Sequence, residues 1–117
     1  MQINLKQGQL QHEQTELLVV NLFEGTGEPS GALKAVDDAL GGLVRQLIAA
    51  GDIKGKLGAT HVLYTNGALP ARRVLVTGLG SEQDFSVSVA RKAAAAAAKR
   101  VRELGLSAFS TVVHGAG

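Results

Sequence analysis

The run Glu16-Leu17-Leu18-Val19-Val20-Asn21-Leu22-Phe23 constrains the fold of this chain more than any other feature. A strand with one face in water alternates apolar and polar residues, whereas this run is apolar almost without interruption. The pattern predicts a strand covered on both faces, as happens inside a sheet with helices above and below it. The rest of the chain must supply those covering helices, and two segments qualify.

The first follows a loop by composition, Glu24-Gly25-Thr26-Gly27-Glu28-Pro29-Ser30-Gly31. Leu33, Val36, Leu40, Leu43, Val44, Leu47 and Ile48 then recur at helical spacing, with Lys34, Asp37, Asp38 and Arg45 off that stripe. An amphipathic helix near 31–50 is expected, closed by Gly51 as its C-cap. Gly41-Gly42 inside it costs roughly 1 kcal/mol per Gly relative to Ala, which points to a kink or a close packing contact. The second helix is expected from Ser86, a suitable N-cap, to Leu104, with Gly105 just past its end. Ala90, Ala94, Ala97, Val101 and Leu104 form its expected buried stripe, and Lys99 and Glu103 an i,i+4 pair. Aromatics are only 3% of the chain, so the core must be built from Ala, Val, Leu and Ile. The alanines from Ala93 to Ala98 suit a helix that approaches a sheet closely.

Further strands complete the sheet. Ile3 and Leu5 alternate with polar neighbours, and Ala108 to Val113 reads as a last strand. Thr60–Thr65 and Arg72–Thr77 flank the short connection Asn66–Ala71, which predicts an antiparallel hairpin. Gly78-Leu79-Gly80 ends its second strand, and Asp52–Gly58 reads as a short extended segment. With 117 residues there is room for one core. The expected architecture is α/β, three layers α/β/α, around a mixed sheet whose central strand is Leu17–Phe23. The Gly-rich ending His114-Gly115-Ala116-Gly117 after a buried-looking strand is read as a domain boundary or truncation.

Chemistry is sparse by comparison. The chain has no Cys, which removes disulfides, thiolate nucleophiles and zinc–thiolate sites together. No apolar run reaches the roughly 18 residues needed to span a bilayer, and no signal-peptide core opens the chain. A cytoplasmic protein without membrane contact is the expectation. His12, His61 and His114 have no ligand-spaced partners. Asp37 and Asp38 are adjacent and point about 100° apart on a helix, so they cannot share an acid/base site. Glu82 and Asp84 sit in the turn before the second helix, where its dipole favours them. Gly78-x-Gly80 lacks a third Gly at position 83 and the Lys of a phosphate loop, which favours a structural turn. Net charge is +2, but Arg91, Lys92, Lys99, Arg100 and Arg102 against Glu103 give residues 91–103 a local +4. That face suits solvent, a subunit contact, or weak non-specific DNA contact, since no aromatic lies among the cations to stack bases.

Asp52-Ile53-Lys54-Gly55-Lys56-Leu57-Gly58, a strand, Leu69-Pro70-Ala71-Arg72-Arg73-Val74-Leu75-Val76-Thr77-Gly78-Leu79-Gly80 and an Ala-rich basic helix together resemble the amino-terminal domain of the leucyl aminopeptidase (cytosol aminopeptidase) family. The Leu17–Val20 strand and the helix from about Gly31 fall in matching order, so the resemblance covers most of the chain. It implies a macro-domain-like fold in a non-catalytic piece. The active site, with two divalent metals (zinc or manganese), would lie in an absent carboxy-terminal domain, around a signature Asn-Thr-Asp-Ala-Glu-Gly-Arg-Leu. This sequence contains no such string, so it assigns no catalytic, cofactor-binding or metal-ligating residue to this segment. The partners implied are the chain's own catalytic domain and the other subunits of a hexamer, in support of assembly, substrate access or regulation. Some bacterial members bind DNA. The runner-up reading is a macro-domain-like module for ADP-ribose or a related nucleotide, since Val19-Val20-Asn21, a loop and Ser30-Gly31-Ala32 resemble the layout of that pocket. Here Asn21 is followed by Leu22-Phe23-Glu24, a departure, and Glu24 and Glu28 would repel a diphosphate.

Overall fold

The computed structural model describes residues 16–106 in full, and the backbone of residues 2–6 and 108–112. Five strands, β1 (Gln2–Lys6), β2 (Leu17–Phe23), β3 (Thr60–Tyr64), β4 (Arg73–Gly80) and β5 (Ala108–Val112), form one sheet in the order β1-β5-β2-β4-β3. β1, β5, β2 and β4 are parallel, and β3 pairs antiparallel with β4 in the hairpin expected from the sequence. The sheet is therefore mixed, with β2 at its centre.

The apolar run of β2 divides by parity between two cores. Leu18, Val20 and Leu22 pack with Val74, Val76, Leu33, Val36, Val44 and Ile53 on one face. Leu17 and Val19 pack with Leu75, Ala97 and Val101 on the other. Helices α1 (Gly31–Ala39) and α2 (Leu43–Ala49) cover the first face, and α3 (Val87–Glu103) the second. Full burial of a Val or Leu side chain stabilises by about 1.5–3 kcal/mol, so these two layers hold the fold.

The single helix expected near 31–50 is two helices. Gly41 and Gly42 both adopt positive φ, +71° and +86°, which no L side chain takes cheaply, and the chain turns between Leu40 and Leu43. A second correction follows directly. Asp37, placed off the apolar stripe by its spacing, has a side chain that is 0% exposed. Its Oδ1 accepts the backbone N–H of Val44 at 2.6 Å and of Arg45 at 3.3 Å, while Oδ2 accepts from Arg45 Nε at 2.7 Å. The carboxylate thus caps the amino end of α2, whose first amides have no partner of their own. Next to it, Asp38 receives Lys34 Nζ at 2.8 Å and Arg45 Nη2 at 2.9 Å.

On α3, Ser86 Oγ accepts the Val89 N–H at 3.2 Å, the N-cap expected from the sequence. Ala93, Ala97 and Val101 are buried and Ala90 and Leu104 half-buried, but Ala94 is exposed. The expected stripe was therefore displaced at one position, because i+3 and i+4 steps look identical within an alanine run. Glu103 pairs with Arg100 at 3.4 Å, three residues away, where a pair with Lys99 was expected. Both offsets bring side chains within reach on a helix.

Candidate functional site

In open α/β sheets, ligands favour the crevice beyond the carboxyl ends of neighbouring parallel strands whose connections leave on opposite faces. Here those strands are β2, followed by α1, and β4, followed by α3. Gly78 and Gly80 are the closing residues of β4 and do not form a turn after it, a correction to the sequence expectation. Their amides are engaged: Gly78 N–H donates to Ala59 O at 2.8 Å and Gly80 N–H to Gly55 O at 2.9 Å. Residues 53–56, read as extended, have no regular strand structure and lie against the ends of both strands. The place of a Gly78 Cβ is filled by the Lys56 carbonyl oxygen, and that of a Gly55 Cβ meets the Phe23 carbonyl at 2.8 Å. Glu24 N–H bonds Gly80 O at 2.9 Å, and the Phe23 and Phe85 rings meet edge to face with centroids 5.4 Å apart. The chain itself fills this crevice, with Glu24, Glu28, Glu82 and Asp84 exposed around it.

The basic helix face is present. Arg91, Lys92, Lys99 and Arg102 are exposed, while Arg100 is half-buried and turned toward a different feature. That feature is a cleft of about 470 Å³ along β3, lined by Leu47, Ile53 and Leu63 on the α2 side and by Val62, Leu104 and Arg100 on the α3 side. Asp52 and His61 also border it. His61 is thus a half-buried residue of the edge strand, while His12 and His114 lie outside the described residues. The sequence reading missed this cleft. Its one legible signal was the hairpin, because the first strand of a hairpin attached to a sheet by its second strand has a free edge.

Among the described residues, no three His, Asp or Glu side chains converge to hold a metal ion. These residues offer no site for the pair of divalent metals that the resemblance assigns to the catalytic domain. Nor is any helix of the described residues long and apolar enough to cross a membrane.

Among the described residues, two groups are shifted from their ordinary values. The hydrogen bond to Asp37 raises Arg45. The Lys34 hydrogen bond, aided by the charges of Lys34 and Arg45, holds Asp38 below its ordinary 3.8, against partial desolvation. A carboxylate more acidic when folded stabilises the fold above its unfolded value and loses that contribution as pH falls through the folded one. Lys34→Gln is expected to move the Asp38 carboxyl titration, followed by carbon NMR, back up toward 3.8. An unchanged midpoint would show that Lys34 does not set it.

Comparison with known proteins agrees with this architecture. The family model described as "Cytosol aminopeptidase family, N-terminal domain" matches residues 19–114. A protein of Roseiflexus castenholzii named "Probable cytosol aminopeptidase" is 37% identical over 113 residues, 97% of this chain and 21% of its own length. One of Alkaliphilus oremlandii with the same name is 33% identical over 103 residues, 88% of this chain and 20% of its own length. The chain thus spans about a fifth of these relatives. Among solved structures, a mutant tomato leucine aminopeptidase superposes with a TM-score of 0.70 at 20% identity, covering 100% of this chain and 24% of that one. The macrodomain of Mycobacterium tuberculosis DarG superposes with a TM-score of 0.73 at 15% identity, covering 98% of this chain and 79% of that one. The last two likenesses establish a macrodomain-like fold, and the match to residues 19–114 places the chain in the cytosol aminopeptidase family, as its amino-terminal domain.

Proposed function

We propose that residues 1–117 are the non-catalytic amino-terminal domain of a cytoplasmic, metal-dependent leucyl aminopeptidase, supporting hexamer assembly and the access of peptides to a catalytic domain carried elsewhere. The observation that carries this reading is the family match over residues 19–114, in relatives about five times longer than the matched segment. The absence of a converging ligand set among the described residues is consistent with it, because activating a water for peptide hydrolysis needs metal ligands fixed in space. The nucleotide-binding alternative has less support, since the Gly78 and Gly80 amides that would cradle a phosphate are already bonded within the chain. The exposed cations of α3 support weak, salt-sensitive DNA contact, and no Asn or Gln stands among them to read adenine.

The test has two arms. The purified chain, supplied with zinc or manganese, should release no leucine from a leucyl peptide. Fused ahead of the carboxy-terminal domain of the Roseiflexus relative, it should restore the oligomer and the peptidase activity that this domain loses when its own amino-terminal segment is deleted. Leucine release by the chain alone, or a deleted relative indifferent to the fusion, would overturn the proposal.

A further inference from the structure

Among the described residues no strand pairs with the outer edge of β3, and that edge is built to take another extended backbone. Within the hairpin, Gly78 N–H bonds Ala59 O, and Thr65 N–H bonds Arg72 O at 3.0 Å. Antiparallel pairing alternates strictly, so residues 59, 61, 63 and 65 turn their backbone groups toward β4. Thr60, Val62 and Tyr64 then turn theirs outward, presenting three N–H and three C=O groups spaced about 6.8 Å apart along the strand. An unpaired row of this kind is a template for strand addition. Natural edges are commonly guarded by Lys, Glu or Pro, and Thr60-His61-Val62-Leu63-Tyr64 has none of these.

The cleft gives this edge two walls. An incoming strand would send alternate side chains to opposite faces of the sheet. On the α2 side they meet the apolar Leu47, Ile53 and Leu63. On the α3 side they meet Val62 and Leu104, with the guanidinium of Arg100 beside them. Among the described residues, the acidic partner of Arg100 is Glu103 at a long 3.4 Å. The α3 wall therefore offers the Arg100 guanidinium to an incoming side chain.

We infer that the β3 edge binds an extended peptide by strand addition, with an acidic side chain on the α3 wall and apolar side chains on the α2 wall. A second copy of this chain is the poorer occupant, because same-sheet antiparallel pairing of two β3 strands keeps like faces together and would set the Arg100 residues of both copies on the same side. The inference gives the substrate-access role proposed above a location and rests on that reading for its use in the enzyme. Binding itself is measurable without any catalytic domain, so failure of one is distinguishable from failure of the other.

The experiment titrates the isotope-labelled chain with the capped peptide acetyl-Thr-Val-Glu-Val-Thr-amide, following backbone amides by NMR. Shifts should concentrate at Thr60, Val62 and Tyr64. Replacing the peptide's Glu by Lys, or Arg100→Gln in the protein, should weaken binding roughly threefold or more, as for a partly exposed ion pair. A peptide with Pro at its centre should lose binding. No shifts at millimolar peptide would overturn the inference. So would shifts confined to Arg91, Lys92 and Lys99, which would mean plain charge attraction. Concentration-dependent shifts at the β3 amides without peptide would overturn it in favour of self-pairing.

Discussion

Replacing Asp37 with Ala is expected to remove about 2–4 kcal/mol of folding stability, read as a lower urea midpoint at unchanged slope. The carboxylate is fully enclosed and accepts three hydrogen bonds, two from the amides that open α2 and one from Arg45 Nε. Val44 is 0% exposed, so without Asp37 its N–H would be buried with no acceptor, at a cost of about 1–3 kcal/mol. The guanidinium would suffer less, because the Arg45 side chain is 41% exposed and can hydrate, which keeps the expected loss below the upper range for a broken buried ion pair. Asp37→Asn retains one acceptor oxygen and should cost about half as much. Asp38→Asn, at a position 51% exposed, should stay within about 0.5 kcal/mol of the parent. An Asp37→Ala protein as stable as the Asp38→Asn protein would show that the cap is dispensable.

Asp37 also marks where the sequence stops being legible. Patterns carried by side-chain polarity were readable: the unbroken apolar run became the central strand with the expected bounds, and Ser86 became the N-cap of α3. The hairpin was readable because turn residues and alternation act locally. Asp37 was not, since its burial depends on α2 folding back after Gly41-Gly42, and an aspartate beside an apolar stripe looks the same whether it faces water or a neighbouring helix end. Two glycines in a helical pattern indicated a weak point but not whether it bends or breaks. The choice between Ala93 and Ala94 could not be read either, because identical residues carry no periodicity.

The candidate sites divide along the same line. Composition located the cations of α3, four of which the structure leaves exposed. The β3 cleft joins Leu47, Ile53, Val62, Leu63, Arg100 and Leu104, drawn from four parts of the chain, and only the strand order makes them neighbours. Once β3 is known to lie at the edge, its unguarded sequence becomes informative. Before that, Thr60–Tyr64 reads as any half-buried strand.

Gly78→Ala should be the most damaging small substitution in the described chain, costing about 3 kcal/mol or more and lowering the melting temperature by about 10 °C or more. No unusual backbone angle is involved. The position where a Cβ would sit is already held by the Lys56 carbonyl oxygen, with the Gly55 carbonyl carbon 2.6 Å away and its oxygen 2.8 Å away. These are backbone atoms, which cannot rotate aside as a flexible side-chain tip can. The methyl would push residues 55 and 56 off β4 and strain the bonds that fasten them: Gly80 N–H to Gly55 O, Gly58 N–H to Gly78 O at 3.1 Å and Gly78 N–H to Ala59 O. Gly55 also packs against the Phe23 backbone, so the disturbance would reach the end of the central strand. Gly41→Ala is the discriminating control, since a Cβ there meets nothing within 4 Å and bears only the penalty of a φ of +71°, about 1–2 kcal/mol. Calorimetric melts of the two variants compare crowding with backbone strain directly. If Gly78→Ala melts no lower than Gly41→Ala, the 53–58 segment does not press on β4 as described, and the crevice it fills would be open to a ligand after all.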